Sequence, residues 1–279
     1  MAEPTAIVTG ASAGIGVHTA LGLARKGMRV VMVGRDPGRL AAARRFVAER
    51  TDDSRLATAI ADFASLTAVR RLAAELLASE ERVAVLVNNA GLMAPRFERT
   101  PDGNELTFAV NHLAPFLLTN LLIDRLAASA PSRIVTVAST AHRRAGLDLA
   151  TVNGPRDWSM LKAYGRSKLC NILFTAELAR RLDGKGVVAT CLHPGVIATG
   201  IAAHGLVGLF WKIGKPFMLT PEKGADTSIF LATVADPTPF HGAYVVGREA
   251  APTDPQARDP ALARALWQES ARLTGLAPQ

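Results

Sequence analysis

The stretch AYGRSKLCNILF, residues 163–174, puts a tyrosine and a lysine four positions apart, at Tyr164 and Lys168. On a helix that spacing brings the two side chains to one face, one turn apart. The pKa of a free tyrosine is about 10, and lowering it by about three units requires ~4 kcal/mol. One positive charge at ~4 Å supplies about that much at an effective dielectric constant of ~20. The pair therefore indicates either a proton donor tuned by an ammonium group or two polar residues on the wet side of a helix.

Composition limits the class of protein that can surround this pair. The chain has 279 residues, of which 49% are hydrophobic and 20% charged, as expected of one large folded domain. Its net charge of +8 is spread among acidic residues, so a solvated surface is favoured and no nucleic-acid partner is expected. The two cysteines, Cys170 and Cys191, lack disulfide or metal-ligand spacing, so no metal is predicted. With no leader and no apolar run near ~20 residues, we expect a cytoplasmic protein without a transmembrane segment.

Short β-branched runs alternate with longer amphipathic stretches along the chain. The strand-like runs are TAIVTG (5–10), RVVMVG (29–34), RLATAIAD (55–62), RVAVLVNN (82–89), RIVTVAS (133–139), GVVATCL (186–192) and AYVVG (243–247). Nearly continuous apolar strands indicate burial on both faces, as in a parallel sheet covered by helices. The predicted fold is α/β: a single Rossmann-type, doubly wound parallel sheet of about seven strands with helices on both faces.

Polar and glycine-rich motifs follow six of these strands. In a doubly wound sheet, ligands bind outside the carboxyl ends of the strands, where these motifs would meet. One such coincidence carries little weight, but six at one edge predict a cofactor site. The motifs are at Gly10 to Gly16, Arg35, Asp62, Asn88 to Gly91, Ser139 and His193 to Thr199.

The first motif, TGASAGIG, predicts the kind of cofactor. Its glycines, between a strand and a helix, let the backbone turn tightly and approach a pyrophosphate at the helix N-terminus. Enzymes that prefer NAD usually end the second strand with an acidic residue, whereas this chain has Gly34 and then Arg35. An arginine suits a 2′-phosphate, although Asp36 beside it could compete or repel. We therefore expect NADP(H) to be preferred over NAD(H).

Taken together, the motifs resemble those of the short-chain dehydrogenase/reductase family. The family's TGxxxGxG and NNAG motifs are matched by Thr9, Gly10, Gly14 and Gly16 and by Asn88, Asn89, Ala90 and Gly91. Its Asn–Ser–Tyr–Lys tetrad and PG motif fall on Asn111, Ser139, Tyr164, Lys168, Pro194 and Gly195, with the downstream threonine at Thr199. The stretches VNHLAPFLLTNLL, RIVTVASTAH and HPGVIATGI are similar to its retinol-dehydrogenase-like branch. That branch implies NADP(H)-dependent interconversion of alcohols with aldehydes or ketones, often on retinoids, steroids or other lipids.

The resemblance also implies roles for individual residues. Tyr164 would donate the proton, Ser139 would bind the substrate carbonyl oxygen, and Lys168 would hold the nicotinamide ribose. Because Pro115 lacks an N–H, the carbonyl of Asn111 loses its usual helical donor. The family uses that carbonyl in a water-linked relay to the lysine; a packing kink is the alternative. The residues implied to bind the dinucleotide are Gly10, Ser12, Gly14, Ile15, Gly16, Arg35, Asp62, Phe63, Asn89, Ala90, Gly91, Tyr164, Lys168, Pro194, Gly195, Ile197 and Thr199.

The substrate side is predicted from the apolar residues after the PG motif. A lid is expected over about 196–220, and four of its residues favour an apolar substrate: Phe210, Trp211, Phe217 and Met218. Core packing or an oligomer contact is the alternative for any one of them. Lys212 and Lys215 could touch a membrane surface, and Trp158 and Met160 could form the opposite wall. We assign residues 1–250 to the catalytic domain and 251–279 to a C-terminal tail with a short helix.

The leading interpretation is thus an NADP(H)-dependent oxidoreductase acting on a small lipophilic alcohol or carbonyl compound. The alternatives are an NAD-dependent hydroxysteroid or alcohol dehydrogenase and, from another class, a dinucleotide-binding regulator without turnover. Asp62 would accept from the adenine amino group or cap the following helix. Relatives often pair through the helix that carries the Tyr–Lys motif, so a homodimer or homotetramer is a family expectation.

Overall fold

The computed structural model describes residues 3–195 and 219–277, and within them one sheet of eight strands runs through the molecule. The strands are β1 (Thr5–Thr9), β2 (Arg29–Gly34), β3 (Leu56–Ile60), β4 (Val83–Asn88), β5 (Ser132–Val137), β6 (Val187–His193), β7 (Tyr244–Val246) and β8 (Glu249–Ala250). Their order is β3-β2-β1-β4-β5-β6-β7-β8, and every neighbouring pair is parallel except β7 with β8. The predicted α/β fold is confirmed, and the antiparallel β8 is an addition too short to leave a pattern in the sequence.

Helices cover both faces of the sheet. They are α1 (Gly14–Arg25), α2 (Pro37–Ala48), α3 (Leu66–Ser79), α4 (Leu106–Ala128), α5 (Met160–Leu182), α6 (Pro221–Thr233) and α7 (Pro260–Thr274). Alternate residues of β2 show how one strand serves both layers. Val31 and Val33 join the core under α3, α4, α5 and α7, whereas Val30 and Met32 join the core under α1, α2 and α6. The two-residue period of the strand thus divides one apolar run between two cores.

The α4 helix corrects the expectation that no apolar run reaches membrane-spanning length. It contains 23 residues, with a mean hydropathy of 1.5 over its best 18-residue window. Pro115 lies at its point of entry into regular α-helix, after a π-helical turn at Ala109–Leu113, so the proline does not divide the helix. By length and composition alone α4 could cross a membrane, yet 78% of that window is buried inside the protein, as in a core helix.

The C-terminal helix α7 packs against α5 and α4. Trp267 on α7 is 4% exposed, and its ring meets Phe116 with centroids 4.9 Å apart and Phe174 at 5.8 Å. The guanidinium of Arg181 lies 4.2 Å from the same ring. The α7 helix therefore covers part of α5, the helix that bears Tyr164 and Lys168, and helps to hold it in position.

Candidate active site

The glycine-rich loop and the NNAG segment are joined by a dense set of hydrogen bonds. The Thr9 hydroxyl accepts from the backbone N–H groups of Asn89 and Ala90, both at 3.0 Å. The Asn89 amide donates to the carbonyl of Thr9 at 2.7 Å and to that of Gly10 at 3.3 Å. A Cβ at Gly16 would lie 2.3 Å from the Gly10 carbonyl oxygen, so no larger residue fits there without a shift. These contacts fix the loop between β1 and α1 at the point where the strand order reverses.

The N-terminus of α1 lacks a capping side chain. Ala13 occupies its N-cap position and makes no side-chain hydrogen bond. By contrast, a side chain accepts from a backbone N–H at the start of each of the other helices α2 to α7. Gly10 and Gly14 take positive φ angles of 65° and 57°, which bends the loop over this helix end. Uncapped N–H groups at a helix N-terminus attract anions, so this end of α1 fits the pyrophosphate of a dinucleotide. Ile15 lies in the first turn and is partly exposed.

An open cleft of about 160 Å³ continues from this loop along the sheet edge. Seven of the predicted cofactor residues line it: Gly10, Ser12, Arg35, Asp62, Phe63, Ala90 and Gly91. Asp62 is half-buried there, and one of its carboxylate oxygens accepts from the N–H of Ala64 at 3.0 Å. The following helix is capped by Ser65, so Asp62 closes a local turn and does not cap that helix. The cleft has the composition and position expected for the adenosine half of a dinucleotide.

The end of β2 disfavours an acidic residue at position 34. A Cβ on Gly34 would lie 3.1 Å from Leu40 Cδ1 and 3.3 Å from Ser12 Cβ. Asp36, which the sequence allowed to compete with Arg35, instead caps α2 by accepting from the N–H of Arg39 at 2.8 Å. Arg35 is exposed at the rim of the cleft, and no carboxylate in the described part of the chain forms an ion pair with it.

Ser139 and Tyr164 meet at the carboxyl end of β5. The Ser139 hydroxyl accepts from the N–H of Ala141 at 3.2 Å, so its own proton is left to donate. Burial raises the pKa of Tyr164 above its usual 10, and the nearby Ser139 hydroxyl counteracts this in part. The two side chains are thus close enough to influence each other, and the local backbone bond that was the alternative explanation for Ser139 is present as well.

Lys168 departs from the electrostatic expectation. Its Nζ lies 5.5 Å from the centre of the Tyr164 ring, and it donates to the Val137 carbonyl at 2.8 Å. Burial lowers the pKa of Lys168 to about 8, and burial likewise dominates at Tyr164. The spacing of the two residues predicted that Lys168 lowers the pKa of Tyr164, but the loss of water around the phenol has the larger effect on that pKa. Spacing along a helix does not show how deeply either group is buried.

Asn111 is held by its side chain at the π-helical turn of α4. Its amide exchanges two hydrogen bonds with the backbone of Leu92, at 2.7 and 2.9 Å, and donates to Ser167 Oγ at 2.9 Å. Ser167 in turn donates to the carbonyl of Tyr164 at 2.7 Å. A Cβ on Gly91 would lie 3.3 Å from Asn111 Oδ1 and 3.6 Å from Lys168 Nζ, so these two groups flank the NNAG segment. The relay through the Asn111 carbonyl stays a prediction.

The last predicted segment is only partly described. Pro194 and Gly195 follow β6, and Gly195 takes a φ of 92°, which favours glycine. Ile197, Thr199 and the proposed lid residues Phe210, Trp211, Lys212, Lys215, Phe217 and Met218 lie outside the described residues. His112, at 0% exposure, contacts Ser270 Oγ at 2.8 Å in the core, and His193 ends β6.

Sequence reasoning missed three contributors to this site. The Val137 carbonyl and the Leu92 backbone carry no side-chain signal, because backbone acceptors and donors are identical at every position. Ser167 could have been noticed, since it stands directly before Lys168 and shares a helix with Tyr164.

The fold and this site define an oxidoreductase that uses a nicotinamide dinucleotide. The chain belongs to the short-chain dehydrogenase family, whose sequence profile, described as short chain dehydrogenase, matches residues 4–205. It is 42% identical over 284 residues to human retinol dehydrogenase 13, covering 98% of this chain and 85% of that protein. A crystal structure from Mycobacterium paratuberculosis matches with a TM-score of 0.81 and 34% identity, over 100% of this chain and 96% of that one. The RhlG/NADP complex of Pseudomonas aeruginosa matches with a TM-score of 0.71 and 25% identity, over 88% and 95%.

These similarities confirm the predicted family and its retinol-dehydrogenase-like branch, and they support oxidoreduction between alcohols and aldehydes. The predicted cytoplasmic location is wrong. The relatives include retinol dehydrogenases 12, 13 and 14, named for an apolar alcohol, and α4 is long and apolar enough to cross a membrane. The prediction rested on the cysteine count and on the apparent lack of an apolar segment, and neither observation reports on contact with a membrane.

Proposed function

We propose that the protein is an NADP(H)-dependent oxidoreductase that interconverts an alcohol and an aldehyde or ketone on a small lipophilic substrate. The observation that carries this proposal is the grouping of three side chains at the carboxyl end of β5: the Ser139 hydroxyl lies close enough to the Tyr164 phenol to lower its pKa, and Lys168 is one helical turn away. A phenol, a hydroxyl and an ammonium group are what carbonyl reduction requires of a protein: a proton donor, a hydrogen bond to the oxygen and positive charge.

Each of the three residues has one task in this chemistry. A bound reduced nicotinamide would supply the hydride. In the reducing direction Tyr164 gives its phenolic proton to the former carbonyl oxygen and becomes a phenolate. Ser139 donates a hydrogen bond to the same oxygen, since its own lone pair already accepts from Ala141. The Lys168 ammonium stabilises the phenolate, and in alcohol oxidation the proton returns to Tyr164 by the same route.

The preference for NADP(H) is supported by the end of β2. The crowding at Gly34 disfavours the acidic side chain that would hold ribose hydroxyls, and Asp36 is occupied as a helix cap. Arg35 is exposed at the rim of the cleft, where a guanidinium can bind a 2′-phosphate with charged hydrogen bonds. The uncapped α1 N-terminus and the glycines beside it would hold the pyrophosphate.

The lipophilic substrate is supported by apolar side chains near the start of α5. Leu161, less than one turn before Tyr164, is 63% exposed, which is unusual for a large aliphatic side chain. Trp158 packs edge-on against Phe97 with ring centroids 6.1 Å apart, and its indole N–H donates to Glu105 at 3.2 Å. The similarity to retinol dehydrogenases points to the same kind of substrate.

The experiment is NADPH consumption with a panel of aldehydes and ketones, from small polar ones to retinal. The chain contains two tyrosines, which supply a matched pair of variants, Tyr164→Phe and Tyr244→Phe. We expect Tyr164→Phe to lose turnover by at least about 100-fold, the lower end of the range for a general acid, while Tyr244→Phe retains it. Equal rates for Tyr164→Phe and wild type would contradict the mechanism. Turnover of small polar carbonyls alone would contradict the lipophilic substrate.

A further inference from the structure

His142 is buried beside Ser139 and joins that serine to the C-terminal part of the chain. It lies on the 3-10 turn Thr140–Arg144, with 0% of its surface exposed. Its Nδ1 is 2.6 Å from the carbonyl oxygen of Ser139, which also accepts from the His142 backbone N–H at 3.2 Å. Its Nε2 is 3.2 Å from the backbone nitrogen of Asp254. One imidazole thus bridges the residue expected to bind the substrate oxygen and a residue more than 100 positions away.

The two partners of the imidazole determine where its proton is. A backbone N–H can only donate, so Nε2 must accept from Asp254, and the ring proton must be on Nδ1. The Ser139 carbonyl can only accept, which suits that proton. A second proton on Nε2 would face the N–H of Asp254 and repel it. The bridge therefore requires the neutral imidazole with its hydrogen on Nδ1.

The surroundings of His142 favour this neutral form. Burial lowers its pKa; the Ser139 carbonyl and the Asp254 carboxylate counteract the effect, and the neighbouring Arg143 adds to it. The Tyr244 ring packs edge-on at 5.0 Å, and His193 is close enough to interact electrostatically.

The segment around Asp254 is itself anchored to the chain that follows Ser139. The Gln256 side chain exchanges two hydrogen bonds with the backbone of Leu147, at 3.0 and 3.2 Å. Asp254 caps the next turn by accepting from the Gln256 N–H at 2.9 Å, and Arg143 donates to the Pro252 carbonyl at 3.1 Å. These C-terminal residues lie beyond the region matched by the family profile, residues 4–205.

We propose that His142 is a positioning residue for Ser139, and that the Asp254 N–H in the C-terminal segment keeps its imidazole in the tautomer that this role requires. The bridge holds the Ser139 peptide so that the hydroxyl faces Tyr164. The inference rests on the proposed function, in which Ser139 binds the substrate oxygen. Residues 252–256 then act on the reaction through His142 without touching substrate or dinucleotide.

A pair of substitutions at Asp254 isolates the backbone N–H. The φ of Asp254 is −56°, which proline adopts, so Asp254→Pro removes the N–H while keeping the backbone angle. Asp254→Ala is the matched control, because it also removes the capping carboxylate but keeps the N–H. We expect kcat for carbonyl reduction to be about 10-fold lower in Asp254→Pro than in Asp254→Ala, with equal Kd for NADPH. The acidic limb of the pH profile should also move to higher pH in Asp254→Pro, since Nε2 becomes free to accept a proton.

A second pair of variants tests the ring itself. His142→Asn keeps a donor near the position of Nδ1, whereas His142→Leu keeps none, so the asparagine should recover most of the kcat that the leucine loses. A role in packing alone would make kcat follow the melting temperature in both variants. Nitrogen-15 NMR of the wild-type imidazole should show hydrogen on Nδ1, and this readout requires no turnover.

The outcomes separate the inference from the proposed function. Equal kcat for Asp254→Pro and Asp254→Ala, or hydrogen on Nε2 in the NMR spectrum, would overturn the positioning role. If Asp254→Pro does not fold, the positioning role is tested by the NMR measurement of the tautomer and by kcat of His142→Asn and His142→Leu. A wild type that binds NADPH but reduces no carbonyl compound would overturn the proposed function, while the NMR measurement would still test the bridge.

Discussion

The ammonium of Lys168 donates a hydrogen bond to the backbone carbonyl of Val137 at 2.8 Å, inside the protein and 5.5 Å from the centre of the Tyr164 ring. Lys168 is 3% exposed, and burial lowers its pKa from 10.5 to about 8. A charged group kept in this position lowers stability, so its presence is explained by function more readily than by folding.

We therefore predict that Lys168→Met stabilises the protein while abolishing its activity. The pKa shift corresponds to ~3 kcal/mol at pH 7, and the lost hydrogen bond subtracts ~1 kcal/mol, so the free energy of unfolding should rise by about 2 kcal/mol. Between pH 8 and 10.5 the folded protein releases the Lys168 proton before the unfolded chain does, which relieves the wild-type penalty. Urea unfolding at pH 7 and pH 10 should show the difference shrinking. Lys185→Met, at an exposed lysine, is the control, and an equal effect there would contradict the assignment.

Arg35→Ala should weaken NADPH binding selectively. Loss of charged hydrogen bonds to a 2′-phosphate should raise KM for NADPH by about 10- to 100-fold and leave KM for NADH nearly unchanged. Steady-state kinetics with both dinucleotides measure this, with Arg45→Ala, an exposed arginine on α2, as the matched control. An equal change for NADH and NADPH would favour the NAD-dependent alternative.

Ser167→Ala should loosen the connection between α4 and α5. The Asn111 amide would lose its 2.9 Å acceptor in a fully buried position and keep only Leu92. A buried donor left unpaired costs about 1–3 kcal/mol, so urea unfolding should show a loss of that size. Thr175→Val is the control, because that hydroxyl on the same helix donates only to the Asn171 carbonyl. Comparable losses of unfolding free energy in both variants would mean that the contact with Asn111 does not contribute more than an ordinary buried hydroxyl.

Glu80→Gln should lower stability at neutral pH and spare cofactor binding. Glu80 is 3% exposed and accepts from Thr5 at 2.8 Å and from Arg29 at 2.9 and 3.0 Å, at the amino end of β1 and β2. Burial is the largest single influence and raises the Glu80 pKa, but Arg29, Thr5 and Ser79 together lower it overall. The carboxylate therefore stabilises the fold above its unfolded pKa, and that contribution is lost as pH falls through the folded pKa.

We expect a loss of about 2 kcal/mol for Glu80→Gln at pH 7, measured by urea unfolding, and a smaller difference at pH 4. Glu75→Gln, at an exposed position on α3, the helix that ends just before Glu80, is the control. A Kd for NADPH that changes with Glu80→Gln would contradict the separation of this ion pair from the carboxyl edge of the sheet.

Local sequence patterns were sufficient for the order of elements and for the edge of the sheet that carries the site. The nearly continuous apolar run of β2 predicted burial on both faces of the sheet, and the glycines after β1 predicted the turn into α1. Pattern reasoning succeeded there because strand pleating, helical spacing and positive φ angles depend on a few neighbouring residues. It failed for the apolar length of α4, which has 23 residues where no apolar run near ~20 residues was expected.

The properties of the catalytic candidates depended on the tertiary structure. The sequence indicated Tyr164, Lys168 and Ser139, yet the spacing of Tyr164 and Lys168 predicted a lowered tyrosine pKa where burial raises it. The partners that matter, the Val137 carbonyl for Lys168 and Ser167 for Asn111, come from other segments of the chain. A pKa and a hydrogen bond reflect the dielectric and the donors contributed by distant residues, and only folding brings those residues together.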